Sequence, residues 1–231
     1  MTFKRGIIVG LPVCLGYIPI AIAYGLLGMS FEIPGFIILL LSIIVFAGAS
    51  QFIGIGLIGV GASPFEIIFT TFMVNIRHLL MSASLEKRVD KKTPLLYRSI
   101  IAFGITDETF SLLSFQNANR MNYKFIIGVN TIAYSSWVFG TLIGISIGNI
   151  IPESLALAMN FSLYAMFIAL LVPAAKKSIK IASISILSAG LHIIIRFIFP
   201  EISIGWSIVL ATIIASGTGV FLFKEEISNE S

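Results

Sequence analysis

Asn75-Ile76-Arg77-His78 and Thr106-Asp107-Glu108 place four ionisable side chains inside stretches that otherwise read as lipid-soluble. An ion at bilayer depth costs roughly 2.5–3.5 kcal/mol on insertion scales, so such residues line a wet cavity, pair with an opposite charge, or do both. At helical spacing Thr71, Asn75, His78 and Ser82 fall on one face. Arg77 lies about 100° from His78 and still reaches the same cavity or a neighbouring carboxylate. In the next apolar segment Asp107, Ser111 and Ser114 share a face with Gly104, and Glu108 flanks it. Adjacent carboxylates in a low-dielectric setting do not easily both ionise, so one is expected to carry a proton near neutral pH. A carboxylate paired with Arg77 in one conformation and protonated in another would serve as an alternating-access switch. The plainer alternative is static charge balance between helices.

A third cluster, Gly48-Ala49-Ser50-Gln51, combines small residues with a hydroxyl and an amide at an expected helix break. Unwound there, the backbone would offer N–H groups suited to a substrate carboxylate. Gln51 serves equally well as a hydrogen-bonding link to a neighbouring helix. Further on, Ser185, Ser188, His192 and Arg196 form another stripe, with Arg196 near enough to a segment end to snorkel. Tyr97, Tyr123 and Trp206 lie near segment ends and read as interfacial anchors. Tyr134, Trp137 and Asn130 are deeper and suit either a pocket or core packing.

Enzyme chemistry finds little support. A Ser50–His192 dyad lacks the glycine that an intramembrane serine protease carries after its serine. His78, His192, Asp107 and Glu108 have ligand types without metal-site spacing, and no phosphate-binding glycine motif is present. No catalytic residue, metal or cofactor is expected. Cys14 stands alone in the first apolar run, which excludes an internal disulfide.

The elements that must position these residues are membrane helices. Hydrophobic residues make up 57% of the 231-residue chain and charged residues 11%, against about 25% charged in soluble domains. Mean hydropathy is +1.02. Apolar runs of roughly 20 residues suit a hydrocarbon core of about 30 Å, and barrel strands would be shorter and alternating. The net charge of +4 comes from few basic residues, mostly at segment ends, and reads as a topology signal rather than a nucleic-acid surface. The expected fold is an all-α polytopic bundle of seven or eight transmembrane segments forming one domain over residues 1–231. Candidate spans run over residues 6–28, 34–60, 64–85, 97–116, 124–148, 154–173, 181–199 and 202–223. The first is taken as an uncleaved span, since it is long, contains Pro12 and Pro19, and leads directly into more membrane sequence.

Eight full crossings from an inside N-terminus keep Lys176, Lys177, Lys180 and Lys224 inside but put the basic loop 87–92 outside. A re-entrant or broken segment at 34–60 returns that loop to the inside. A second one is then needed to keep Lys176 inside, and Gly104 beside Thr106-Asp107-Glu108 offers the place. Paired interruptions of this kind are a transporter signature.

With these residues assembled, the chain resembles the AzlC-type, azaleucine-resistance family of branched-chain amino-acid exporters. The resemblance rests on Gly16-Tyr17-Ile18-Pro19 with Tyr24-Gly25, on Phe46 through Phe52, and on Asn75 through Leu80 with Ser82 through Leu85. Thr106-Asp107-Glu108 completes it. It is strong over residues 6–115 and looser afterwards, where Asn160 stands in place of the family's common aspartate. It implies export of valine, leucine or isoleucine across the cytoplasmic membrane, with a small separate membrane subunit of the AzlD type. On that reading Gly48, Ser50, Gln51 and Asn75 bind the substrate's polar ends, while Arg77, His78, Asp107 and Glu108 form a gating, proton-linked network. The competing class is a scaffold or channel-like subunit whose polar residues only hold helices together.

Overall fold

The computed structural model describes residues 2–116, 120–148, 168, 171–172, 175–176, 178–202 and 204–223. The expected span 154–173, with Asn160, lies almost wholly outside the described residues. Nine helices are present among them: α1 (Phe3–Ser30), α2 (Gly35–Ile44), α3 (Gly48–Gly59), α4 (Pro64–Glu86), α5 (Leu95–Phe103), α6 (Asp107–Ser114), α7 (Tyr123–Ile147), α8 (Ile179–Ile198) and α9 (Ile204–Leu222). By length and composition α1, α4, α7, α8 and α9 suffice to cross a bilayer. The protein is an all-α polytopic membrane protein. Its helices gather into two compact units, one of residues 1–59 with 74–162 and the other of residues 60–73 with 163–231.

The first unit is built on α1 and α7, which run parallel in close contact. Small residues let the two backbones approach, as is common between membrane helices. A side chain on Gly6 would collide with the Phe125 carbonyl, and one on Gly25 would stand 2.6 Å from the Thr141 carbonyl and 3.0 Å from Gly144 Cα. Thr2 caps the start of α1 by accepting from the Arg5 amide.

The two interruptions expected from sequence are both present, and each makes a helical hairpin. A helix of 10 or 12 residues spans only about 15–18 Å, too little for a hydrocarbon core of about 30 Å. The α2–α3 hairpin starts beside Met29 and Ile145 at Gly35 and ends at Gly59 against the Phe31 ring. Both of its ends therefore lie where α1 finishes. The α5–α6 hairpin does the reverse. Tyr97, near the start of α5, stacks on Tyr123 at the start of α7 with ring centroids 4.6 Å apart. At the end of α6, Arg88 donates to the carbonyls of Leu113, Ser114 and Gln116 at 3.3, 2.5 and 2.5 Å. Backbone bonds from Asp90 to Met121 and from Met121 to Arg88 close the same loop. The base is sealed by a core of Leu85, Val89, Ile101, Leu113, Met121 and Phe125. The hairpins thus enter from opposite ends of the α1–α7 pair, and their tips meet between, with Phe46 and Phe103 ring centroids 6.2 Å apart.

The break in the first hairpin falls at residues 45–47, not at Gly48–Gln51 as expected. Gly48-Ala49-Ser50-Gln51 instead forms the first turn of α3. Phe46 bends the chain with φ of 30°, a left-handed conformation that costs a bulky residue about 1–3 kcal/mol. The bend is held by the Gln51 Oε1, which accepts from the Ala47 amide at 3.2 Å, and by Ser50, which donates to the Ala47 carbonyl at 3.0 Å. The second hairpin breaks as expected, at Gly104-Ile105-Thr106. Glycine is required at 104 because Asn130 Cβ lies 2.6 Å from where a side chain would start.

In the second unit the early part of α4 packs on α9: Phe69 stacks on Trp206 at 5.0 Å, and Glu66 and Thr70 lie against Gly205. Arg196 donates to the Ile202 and Pro200 carbonyls, holding the α8–α9 turn rather than only snorkelling. His192 Nδ1 and Ser207 Oγ stand 2.9 Å apart. A groove of 440 Å³ between α8 and α9 carries Ser185, Ser188, His192 and Thr212.

Candidate functional site

The start of α6 is the meeting point of the first unit's charges. Thr106 caps the helix in a reciprocal box with Thr109, so Asp107 and Glu108 occupy its first turn, where the helix dipole favours negative charge. Asp107 Oδ2 pairs with Arg77 Nη1 on α4 at 2.8 Å. Glu108 turns the other way, to α1, where the buried Tyr17 hydroxyl donates to its Oε2 at 2.5 Å and lies equally close to Thr106 Oγ1. Two neighbouring carboxylates are thereby separated by different partners on different helices.

His78, next to Arg77, sets its Nδ1 2.8 Å from the Ile105 carbonyl. A carbonyl only accepts, so that nitrogen bears a proton. His78 Nε2, Asn75 Oδ1 and Arg77 Nε are buried with no hydrogen-bond partner among the described residues. Asn130 on α7 completes the grip on the hairpin by donating to the Ile101 carbonyl at 3.1 Å. The tip of the second hairpin is therefore held by α1, α4 and α7.

The tip of the first hairpin is knitted differently. Gln51 Nε2 donates to Ser42 Oγ at 3.2 Å, Ser42 and Thr141 hydroxyls are 2.8 Å apart, and Thr141 donates to the Trp137 carbonyl at 2.9 Å. Gln51 thus links both arms of the hairpin to α7, the helix-linking role that its sequence also allowed. Gly48 abuts the Trp137 ring, which is 2% exposed. Trp137 Nε1 has no hydrogen-bond partner among the described residues. The Tyr24 hydroxyl adjoins Gln51 and Ser42 without an aligned bond.

Of the expected residues, Arg77, His78, Asp107 and Glu108 are brought together around one helix start. Gly48, Ser50 and Gln51 form a second group at the other tip. Tyr17 stands between the groups, its ring 5.4 Å from Trp137 and 6.3 Å from Phe46 and its hydroxyl on Glu108. Asn75 stays on α4, one turn before His78. Sequence reasoning did not single out Tyr17 or Phe46 as site residues, because an aromatic residue within a span reads as packing. The proximity of Tyr17 to Gly16 and Pro19 was the one local sign of anything else.

Ionisable residues at the meeting point of two broken membrane segments are an arrangement that membrane transporters of polar solutes use. A family model described as AzlC protein matches residues 12–151, and the chain belongs to the AzlC family. An uncharacterized membrane protein of Archaeoglobus fulgidus is 34% identical over 173 residues, covering 74% of this chain and 75% of its own. Inner membrane protein YgaZ of Escherichia coli is 29% identical over 205 residues, with 86% and 84% covered. Branched-chain amino acid transport protein AzlC of Bacillus subtilis is 28% identical over 174 residues, with 74% and 67% covered. No solved structure matches.

Proposed function

We propose that this chain is the large subunit of a secondary exporter of valine, leucine and isoleucine in the cytoplasmic membrane. Export is coupled to protons and requires a small membrane partner of the AzlD type. The observation that carries the reading is the convergence of Arg77–Asp107, His78 and Tyr17–Glu108 on one helix start at the meeting of two hairpin tips. A branched-chain amino acid presents a carboxylate, an ammonium and an apolar branch. The first turn of α3 with Gly48, Ser50 and Gln51, together with Asn75, suits the polar ends, and the Glu108 carboxylate suits the ammonium. The surrounding aromatic rings suit the branch. Support for the substrate class comes from the name of the Bacillus subtilis relative.

Proton coupling draws on the same geometry. Asp107 is released when Arg77 leaves it, Glu108 when Tyr17 does, and His78 Nε2 is a third group able to take a proton. Lys4, Arg5, Lys91, Lys92 and Lys124 belong to the end of the first unit where α1 and α7 begin, the end assigned to the cytoplasm by the positive-inside rule.

The test is net uptake of labelled leucine into proteoliposomes, with and without the partner, under an imposed or collapsed proton gradient. Uptake that needs both and fails in Asp107→Asn is the expected result. Gradient-independent flux removes the proton, and normal flux in Asp107→Asn removes that carboxylate from the mechanism. The hydrogen-bonded lattice of Gln51, Ser42 and Thr141 favours a second reading, a scaffold subunit with structural polar residues. It predicts that no substitution impairs flux unless it also unfolds the chain.

A further inference from the structure

At Phe46 the two hairpins touch through side chains of their tips. This residue is 2% exposed. Its ring meets Tyr17 of α1 at 6.3 Å, Tyr134 of α7 at 5.2 Å and Phe103 of the second hairpin at 6.2 Å. The hairpins enter from opposite ends of the α1–α7 pair, so the contact of Phe46 with Phe103 lies between those ends. We propose that Phe46 is the mid-membrane plug of the transport path, a ring that seals the gap between the tips and gives way to the apolar branch of the substrate. The inference rests on the transporter reading and adds to it the residue that blocks the path.

Three features support a movable seal over an ordinary core residue. The polar bonds of the tip hold its backbone: Gln51 takes the Ala47 amide, and Tyr134 donates to the Ile43 carbonyl at 2.9 Å. The ring meets the Tyr17 and Tyr134 rings edge-on and the Phe103 ring tilted at 35°, apolar contacts that a branched aliphatic chain can replace. The left-handed backbone at Phe46 is strained, so a shift of the tip that lets the residue relax is favoured locally. Tyr17 also connects this ring to Glu108, touching Phe46 with its ring and the carboxylate with its hydroxyl. Tyr17 is thus the one-residue link between the carboxylate proposed for the ammonium and the ring proposed for the seal.

The test uses the full chain together with its small membrane partner in proteoliposomes with a trapped pH dye, comparing Phe46→Ala, Phe46→Gly and Phe46→Tyr. Phe46→Ala and Phe46→Gly are expected to raise proton leak roughly tenfold or more, the change that follows removal of about 1.4 kcal/mol from a barrier. Phe46→Tyr, which keeps a ring, should stay as tight as the native chain. Phe46→Gly should also melt higher than Phe46→Ala, since it alone releases the backbone. Should Phe46→Ala fail to insert, Phe46→Gly carries the same comparison. Tight membranes with Phe46→Ala and Phe46→Gly, or equal leak with Phe46→Tyr, overturn the plug. Leucine counterflow on the same preparations separates the two ideas. Leaky small-residue variants of a chain without counterflow keep the seal and remove the transporter, whereas tight variants of an active chain do the opposite.

Discussion

Arg77 and Asp107 stand 2.8 Å apart, binding the middle of α4 to the first turn of α6. Their side chains are 35% and 27% exposed, so breaking the pair should cost less than the roughly 3–5 kcal/mol of a fully buried one. Thermal unfolding in detergent of Arg77→Gln, Asp107→Asn and the double variant should give a coupling energy of about 0.5–3 kcal/mol. Strictly additive losses would mean that the pair does not hold the tip.

Tyr17→Phe keeps the ring that packs on Trp137 and Phe46 and deletes only the hydroxyl that serves Glu108 and Thr106. The expected loss of stability is about 1.5–3 kcal/mol, the range for a hydrogen bond to a charged group. Glu108→Gln should cost less, because its amide oxygen still accepts from Tyr17. Equal stability of Tyr17→Phe and the native protein would discard the contact.

Gln51→Met fills the same space but leaves the Ala47 amide and the Ser42 hydroxyl without the partner that joins them. It should lower stability by about 1–3 kcal/mol, the penalty for buried polar groups left unpaired. Ser42→Ala removes one of those groups and should cost less. A fully stable Gln51→Met would show that packing alone holds the tip.

Gly25 and Gly16 make an internal control on α1. A methyl at Gly25 would meet the Thr141 carbonyl at 2.6 Å, whereas one at Gly16 meets nothing within 4 Å. Gly25→Ala should destabilise by about 1–3 kcal/mol, and Gly16→Ala should stay within about 0.5 kcal/mol. Melting temperatures that fail to separate the two would argue against tight α1–α7 packing.

The paired hairpins make a labelling prediction. In a Cys14→Ala background, Lys91→Cys and Lys124→Cys should react with an impermeant maleimide from the cytoplasmic side only, and Glu32→Cys from the opposite side only. Labelling of Lys91→Cys and Lys124→Cys from opposite sides would mean that the α5–α6 segment crosses the membrane.

The membrane class, the long spans and the need for two interruptions were legible in the chain alone, because hydropathy, glycine and charge act within one helix length. The position of the second break was equally local: Gly104 precedes Thr106, whose side chain caps the helix that follows. The first break moved three residues upstream of its expected place. Gly48 looked like the breaker, yet it is the smallness needed against Trp137 that places glycine there, and Phe46 makes the bend.

What the sequence by itself determined was which residues are too polar for lipid and must find partners: Arg77, His78, Asp107 and Glu108. Which partner each would find was decided by tertiary structure alone. Tyr17 and Glu108 are 91 residues apart along the chain, and Gln51 and Thr141 meet only through Ser42. A lone polar group declares its cost through its own chemistry, but its satisfaction depends on which helices pack together, and the close approach of α1 to α7 and the hairpin tips settles that.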